Sequence, residues 1–170
     1  MDNLGRMSVE EFKQATKIPV IAILDNIRSM NNVGSVFRTA DAFILESIFL
    51  CGYTPRPPHR DIHKTALGAT ETVNWQYFEK ITDALKYLRS NGFCIYAVEQ
   101  ATESIALNRF NFEKGKKIAL IFGNEVEGVQ QSAIDESDGC IEIPQAGTKH
   151  SLNISVAAAI VLWEAAKANW

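Results

Sequence analysis

Short uninterrupted apolar runs alternate along this chain with stretches whose apolar residues recur every three or four positions. The runs at residues 19–24, 47–51, 93–98, 117–122 and, more briefly, 138–143 read as strands without a polar face. Between them Val33, Val36, Phe37 and Ala40 predict a helix over 32–43. Ile81, Ala84, Leu85 and Leu88 predict another over 81–90, stopped by Asn91-Gly92. Ser8 and Glu11 have the spacing of a capping box, so a short helix is expected over about 8–16. Leu152, Val156, Ala159, Ile160 and Trp163 fall on one stripe of a final helix. Strands apolar on both faces need helices on both faces, so the expected fold is α/β with a mostly parallel sheet covered on each side. Such sheets bind ligands beyond the carboxyl ends of their strands, which directs attention to loops 25–31, 52–68, 123–129 and 144–150.

Length and composition narrow the classes. The 170 residues suit one domain, with a short N-terminal helical extension over about 1–18. Apolar residues at 46% and charged residues at 22% exclude extended disorder, and no apolar run nears the roughly 18 residues of a membrane span. The polar, acid-bearing N-terminus reads as neither signal nor transit peptide, so a cytoplasmic protein without membrane contact is expected. Cys51, Cys94 and Cys140 are an odd set with no C-x-x-C pair, which favours buried reduced thiols over disulfides or zinc. His59 and His63 lack the cysteine or acid cluster that would complete a ligand set, so no metal is expected. A net charge of −3 excludes a protein that coats nucleic acid by bulk charge. Arg56, Arg60 and Lys64 nonetheless concentrate positive charge in one loop, either a phosphate-contacting patch or a solvated one.

Three loops carry candidate chemistry. In Asn32-x-Gly34-x-x-x-Arg38-x-Ala40, a glycine near a helix start permits close approach of a backbone or ligand, and the free amides there favour an anion. Asn32 as a helix cap and Arg38 as a solvated charge is the plainer alternative. Gly123-Asn-Glu125-x-x-Gly128 follows a buried strand and suits a tight loop against a ligand, or an ordinary turn. It is no dinucleotide fingerprint, for neither G-x-G-x-x-G nor a P-loop occurs. In Ile143-Pro-x-x-Gly147-x-x-x-Ser151-Leu152-Asn153-x-Ser155, a strand ends and a helix is expected to start at Ser151, which then has an N-cap role available to it.

In this order and spacing the three loops resemble the three motifs of the SpoU/TrmH RNA 2′-O-methyltransferases. Lys64-Thr-Ala-Leu-Gly68-Ala also looks like a segment of that family, and the resemblance runs from residue 19 to the C-terminus. Gln145 departs from it, standing where the family most often has methionine. The resemblance implies a SPOUT fold whose C-terminal segment forms a deep trefoil knot, an exception to the usual absence of knots. It implies S-adenosylmethionine held at Gly123, Ile143 and Leu152. It implies a homodimer through the final and first-motif helices, and the wide apolar stripe over 156–168 points the same way. Arg38 would be catalytic, as base or as a phosphate clamp, with Asn32, Glu125, Ser151 and Asn153 as orienting groups. The expected substrate is a ribose 2′-hydroxyl of structured RNA, tRNA ahead of rRNA. RNA would dock through Arg56, Arg60 and Lys64 without a separate RNA-binding domain. A non-catalytic RNA-binding relative is the rival reading, and the intact Arg38, Glu125, Ser151 and Asn153 speak against it.

Overall fold

The apolar run 19–24 forms the middle of a parallel sheet in the computed structural model, which describes residues 7–149 and 151–170. In chain order the strands are β1 (Ile18–Asp25), β2 (Leu45–Cys51), β3 (Trp75–Phe78), β4 (Cys94–Val98), β5 (Ile105–Ala106), β6 (Ile118–Phe122) and β7 (Gly139–Glu142). Across the sheet they lie in the order β3-β2-β1-β6-β4-β7-β5, every pairing parallel. The helices are α1 (Val9–Gln14), α2 (Met30–Ala42), α3 (Arg60–Ala66), α4 (Ala69–Thr72), α5 (Ile81–Ser90), α6 (Gln131–Asp135) and α7 (Ile154–Lys167).

Strand side chains alternate between faces, and both faces are buried. Val20, Ala22 and Leu24 of β1 enter a core beneath α2, α3 and α7, whereas Ile21 and Ile23 enter a second core beneath α5 and α6. The chain steps outward from β1 through β2 to β3, then crosses to the other side of β1. An open parallel sheet of this kind binds ligands beyond the carboxyl ends of its strands.

Several expectations shift by a few residues, each for a local reason. The first-motif helix begins at Met30, because the Ser29 hydroxyl accepts the Asn32 amide (3.2 Å) and caps it; Asn32 is therefore not the cap. The last helix begins at Ile154, capped by Asn153, and Ser151 stays in the preceding loop. Loop 52–68 contains α3; the prolines at 57 and 58 end before its His59 cap, whose Nδ1 accepts the Asp61 amide at 3.2 Å. Strands β3 and β5 and helices α4 and α6 are too short for periodicity to reveal. Cys51 and Cys140 are buried thiols, but Cys94 is only half-buried.

Helix α7 has two apolar faces. Ile154, Ala158, Val161, Leu162, Ala165 and Ala166 face the core, and Val156, Ile160 and Trp163 of the expected stripe are exposed. Residues 1–6 of the expected N-terminal extension and His150 of the third motif lie outside the described residues.

Candidate active site

A cavity of about 650 Å³ lies beyond the carboxyl ends of β4, β6 and β7. Its walls include Gly123 and Glu125 of the second motif and Ile143, Ser151, Leu152 and Asn153 of the third. The two loops therefore meet in space although 14 residues separate them in sequence. Leu152, Ile143, Ile141 and Val129 supply apolar surface, and Glu99, Glu125, Glu127 and Glu142 supply carboxylates. Such a lining suits a ligand with an apolar body and positive charge.

The second-motif loop is a closed ring. Asn124 and Gly128 exchange amide-to-carbonyl hydrogen bonds of 3.0 and 2.9 Å, and the Asn124 Oδ1 accepts the amides of Val126 (2.8 Å) and Glu127 (2.9 Å). Gly123 is required for closure, since a β-carbon there would fall within 3.0 Å of the Gly128 carbonyl and the Val129 nitrogen. Asn124 is buried, and its Nδ2 donates to the Asn26 carbonyl (2.8 Å) and the Tyr53 hydroxyl (2.7 Å). One side chain thus ties the loops after β1, β2 and β6.

Glu125 joins the first motif to the second. Its carboxylate accepts the amides of Arg28 (3.0 Å) and Ser29 (3.2 Å) and the Asn32 Nδ2 (3.2 Å), at the positive end of α2. Partial burial pushes this carboxyl up, but the amides of Arg28, Glu125 itself and Ser29, with the Asn32 side chain, outweigh it and hold it below its usual value. Glu125 is thereby kept as an anion that anchors the start of α2.

Arg38 stands apart. It is exposed on α2 and outside the cavity lining. Arg60 and Lys64 lie one turn apart on the exposed face of α3, and Arg56 lies with Tyr77 in a separate groove. The histidines serve locally, His59 as a cap and His63 against the Thr70 hydroxyl (3.3 Å).

Three contributors escaped the sequence. Glu99, after β4, accepts the Val129 amide (3.0 Å) and the Gln100 amide (2.9 Å), so it holds the far end of the second-motif loop. Asn124 was hidden between two residues of more obvious interest. Asp25, 1% exposed at the end of β1, accepts from Gln130 Nε2 at 2.8 Å while its Oδ1 has no partner. Only the pairing of buried strand ends reveals these groups.

A family model for the SpoU rRNA Methylase family matches residues 19–163. The chain belongs to this family. A tRNA (guanosine(18)-2′-O)-methyltransferase of Thermus thermophilus is 29% identical over 160 residues, which cover 94% of this chain and 80% of that protein. An AdoMet-bound rRNA methyltransferase from Sinorhizobium meliloti superposes with a TM-score of 0.82 at 27% identity, covering 95% of this SpoU-family chain. This chain spans 61% of that larger one. A TrmH/SpoU tRNA modifying enzyme of A. aeolicus superposes with a TM-score of 0.83 at 25% identity, over 94% of this chain and 80% of its own. The parallel sheet is thus the SpoU methyltransferase fold, and S-adenosylmethionine is the cofactor of such methyltransferases.

Proposed function

We propose that this chain transfers a methyl group from S-adenosylmethionine to a ribose 2′-hydroxyl of RNA, in tRNA ahead of rRNA, in the cytoplasm. The observation that carries the reading is the single cavity gathering Gly123, Glu125, Ile143, Ser151, Leu152 and Asn153, with Asn32 bonded to its rim through Glu125. The lining fits the cofactor: carboxylates suit its sulfonium and ammonium charges, and Leu152 and Ile143 suit its purine. Gly123, Ile143 and Leu152 would hold it, through a third-motif segment that the family resemblance makes part of a trefoil knot. When bound, it supplies a methyl already activated by the sulfonium.

The protein then has to place a hydroxyl and remove one proton. A guanidinium keeps its proton in proteins, so Arg38 acts as a planar fork on the phosphate beside the target ribose, and a phosphate oxygen accepts the 2′-hydroxyl proton. Ser151 and Asn153 orient the ribose; Glu125 and Asn32 fix α2, which carries Arg38. Arg56, Arg60 and Lys64 contact the RNA, the two α3 cations Arg60 and Lys64 by holding flanking phosphates.

Arg38 reaches a cavity across a homodimer interface. The exposed Val156, Ile160 and Trp163 of α7, which packs on α2, support this pairing. Trp163→Glu should then give a folded monomer with transfer abolished, read by light scattering; a dimer that survives it overturns the pairing.

The tRNA reading takes its support from the Thermus relative, and rRNA from the Sinorhizobium one. Incubation with methyl-labelled cofactor and total tRNA or rRNA, followed by alkaline hydrolysis, tests both: label should survive in alkali-resistant dinucleotides from tRNA. Cofactor binding without label in either RNA would make this chain a non-catalytic relative.

A further inference from the structure

A second hollow, a shallow groove of about 840 Å³, lies at the edge of the sheet where β2 and β3 end. Trp75 and Tyr77 stand two residues apart on the edge strand β3 and so share a face. Tyr77 is fixed by its hydroxyl, which donates to the Gly52 carbonyl at 3.0 Å. The Arg56 guanidinium lies 4.1 Å from the Tyr77 ring centre, and among the described residues it has no ion-pair partner. Tyr53 is 60% exposed and Trp75 36% exposed, a large aromatic surface to leave in water. Tyr53 is nonetheless held firmly, its amide donating to Asn26 Oδ1 (3.1 Å) and its hydroxyl accepting from Asn124 Nδ2 (2.7 Å). Asn124 lines the cavity of the second and third motifs and Tyr53 lines the groove, so their hydrogen bond links the two walls.

We propose that this groove holds unpaired nucleobases of the RNA substrate, stacked on Trp75 and on the Tyr77–Arg56 pair, beside the nucleotide whose ribose enters the cavity. Pre-set aromatic faces and a guanidinium plane are the surfaces on which splayed-out bases stack, and every base offers such a face. A duplex hides its base faces in its own stack, so this groove selects substrates whose target sits in a single-stranded loop or bulge. Glu79, the one acid among the described lining residues, is an acceptor for a base amino or imino group and repels phosphate, which leaves the backbone to run outside along the α3 cations. The proposal rests on the reading of the chain as an RNA methyltransferase and adds the kind of RNA it takes.

Binding alone tests it. The probe is a fluorescent unstructured RNA of about ten nucleotides, compared by anisotropy with the same strand annealed to its complement. The single strand should bind at least about tenfold more tightly than the duplex, and Trp75→Ala should weaken it about tenfold. Trp75→Phe, which keeps a ring, should bind within about threefold of the native chain, with cofactor affinity unmoved in all variants. Should Trp75→Ala not fold, Arg56→Ala replaces it, because Arg56 is exposed in a loop beyond β2, and its loss should weaken the single strand more than the duplex. A duplex bound as tightly as the single strand overturns the proposal, as does a folded alanine variant that binds the single strand like the native chain. Trp75-dependent binding without methyl transfer to any RNA would sink the enzymatic reading and leave the groove. Methyl transfer with binding indifferent to Trp75 and Arg56 would do the reverse.

Discussion

Gly34→Ala puts one methyl into the contact between the first-motif helix and the basic helix. A β-carbon at Gly34 falls within 3.0 Å of the Thr65 hydroxyl oxygen and the Ile62 carbonyl oxygen, and 3.1 Å from the Ala66 nitrogen. Of the close approaches anticipated for this glycine, the one realised is that of another backbone. The hydroxyl can rotate away, but the carbonyl belongs to the interior of α3, so the helices must separate. Overpacking of this kind costs about 3 kcal/mol when backbone is the obstacle, and alanine returns about 1 kcal/mol of helix propensity over glycine. The net expectation is a loss of about 2 kcal/mol, or a fall in Tm of roughly 4–8 °C for a chain of this length. Urea denaturation should show a lower midpoint with an unchanged slope. Thr65→Ala removes one of the two obstacles and also the hydrogen bond from Thr65 to the Asn31 carbonyl (3.0 Å). The double variant should therefore be about 1 kcal/mol less damaged than the sum of the singles. RNA affinity should fall too, because α2 carries Arg38 and α3 carries Arg60 and Lys64. An alanine variant as stable as the native chain, or more so, would refute the close approach on which this rests.

Arg38→Lys keeps the charge but loses the planar fork, so methyl transfer should drop at least about a hundredfold with cofactor affinity little changed; near-normal turnover would make Arg38 a mere surface charge. Glu125 has a folded carboxyl below its unfolded value, so its contribution is full above about pH 4.3 and is lost as pH falls through the folded value. Glu125→Gln should cost about 1 kcal/mol at neutral pH and flatten that acid limb, and equal acid sensitivity in both proteins, read as Tm against pH, would contradict it. Burial pushes Asp25 up despite the bond from Gln130, so its anion is penalised at neutral pH and the penalty lifts as pH falls through its folded value. Asp25→Asn should raise Tm at neutral pH by an increment that shrinks on acidification, and a constant increment would discredit the assignment.

Much of the fold was legible because parallel strands buried on both faces must be written in uninterrupted apolar residues. Residues 81–90 coincide with α5, whose apolar face and Asn91-Gly92 stop agree. The site was legible in its members more than in their grouping. Glu125, Ser151, Asn153 and Leu152 stood out by motif, but Glu99 and Asn124 act by accepting backbone amides of the second-motif loop, contacts that no motif encodes. The edge strand β3 escaped because four residues carry too little period, and with it went Trp75 and Tyr77.

The sequence by itself determined that strands and helices alternate, where most of them lie, and which residue types stand at the strand ends. It left α7 undecided, since Ile154, Val156, Ala158, Ile160, Val161, Leu162 and Trp163 make that helix apolar on every side. Packing against α2 and β1 buries the small-residue face carrying Ala158, Ala165 and Ala166, and leaves Val156, Ile160 and Trp163 outside. The tertiary structure likewise decided that loops after three separate strands, β1, β2 and β6, converge on Glu125 and Asn124. A chain can record which residues are apolar or polar, but only the parallel sheet, by bringing its strand ends side by side, sets which of them meet.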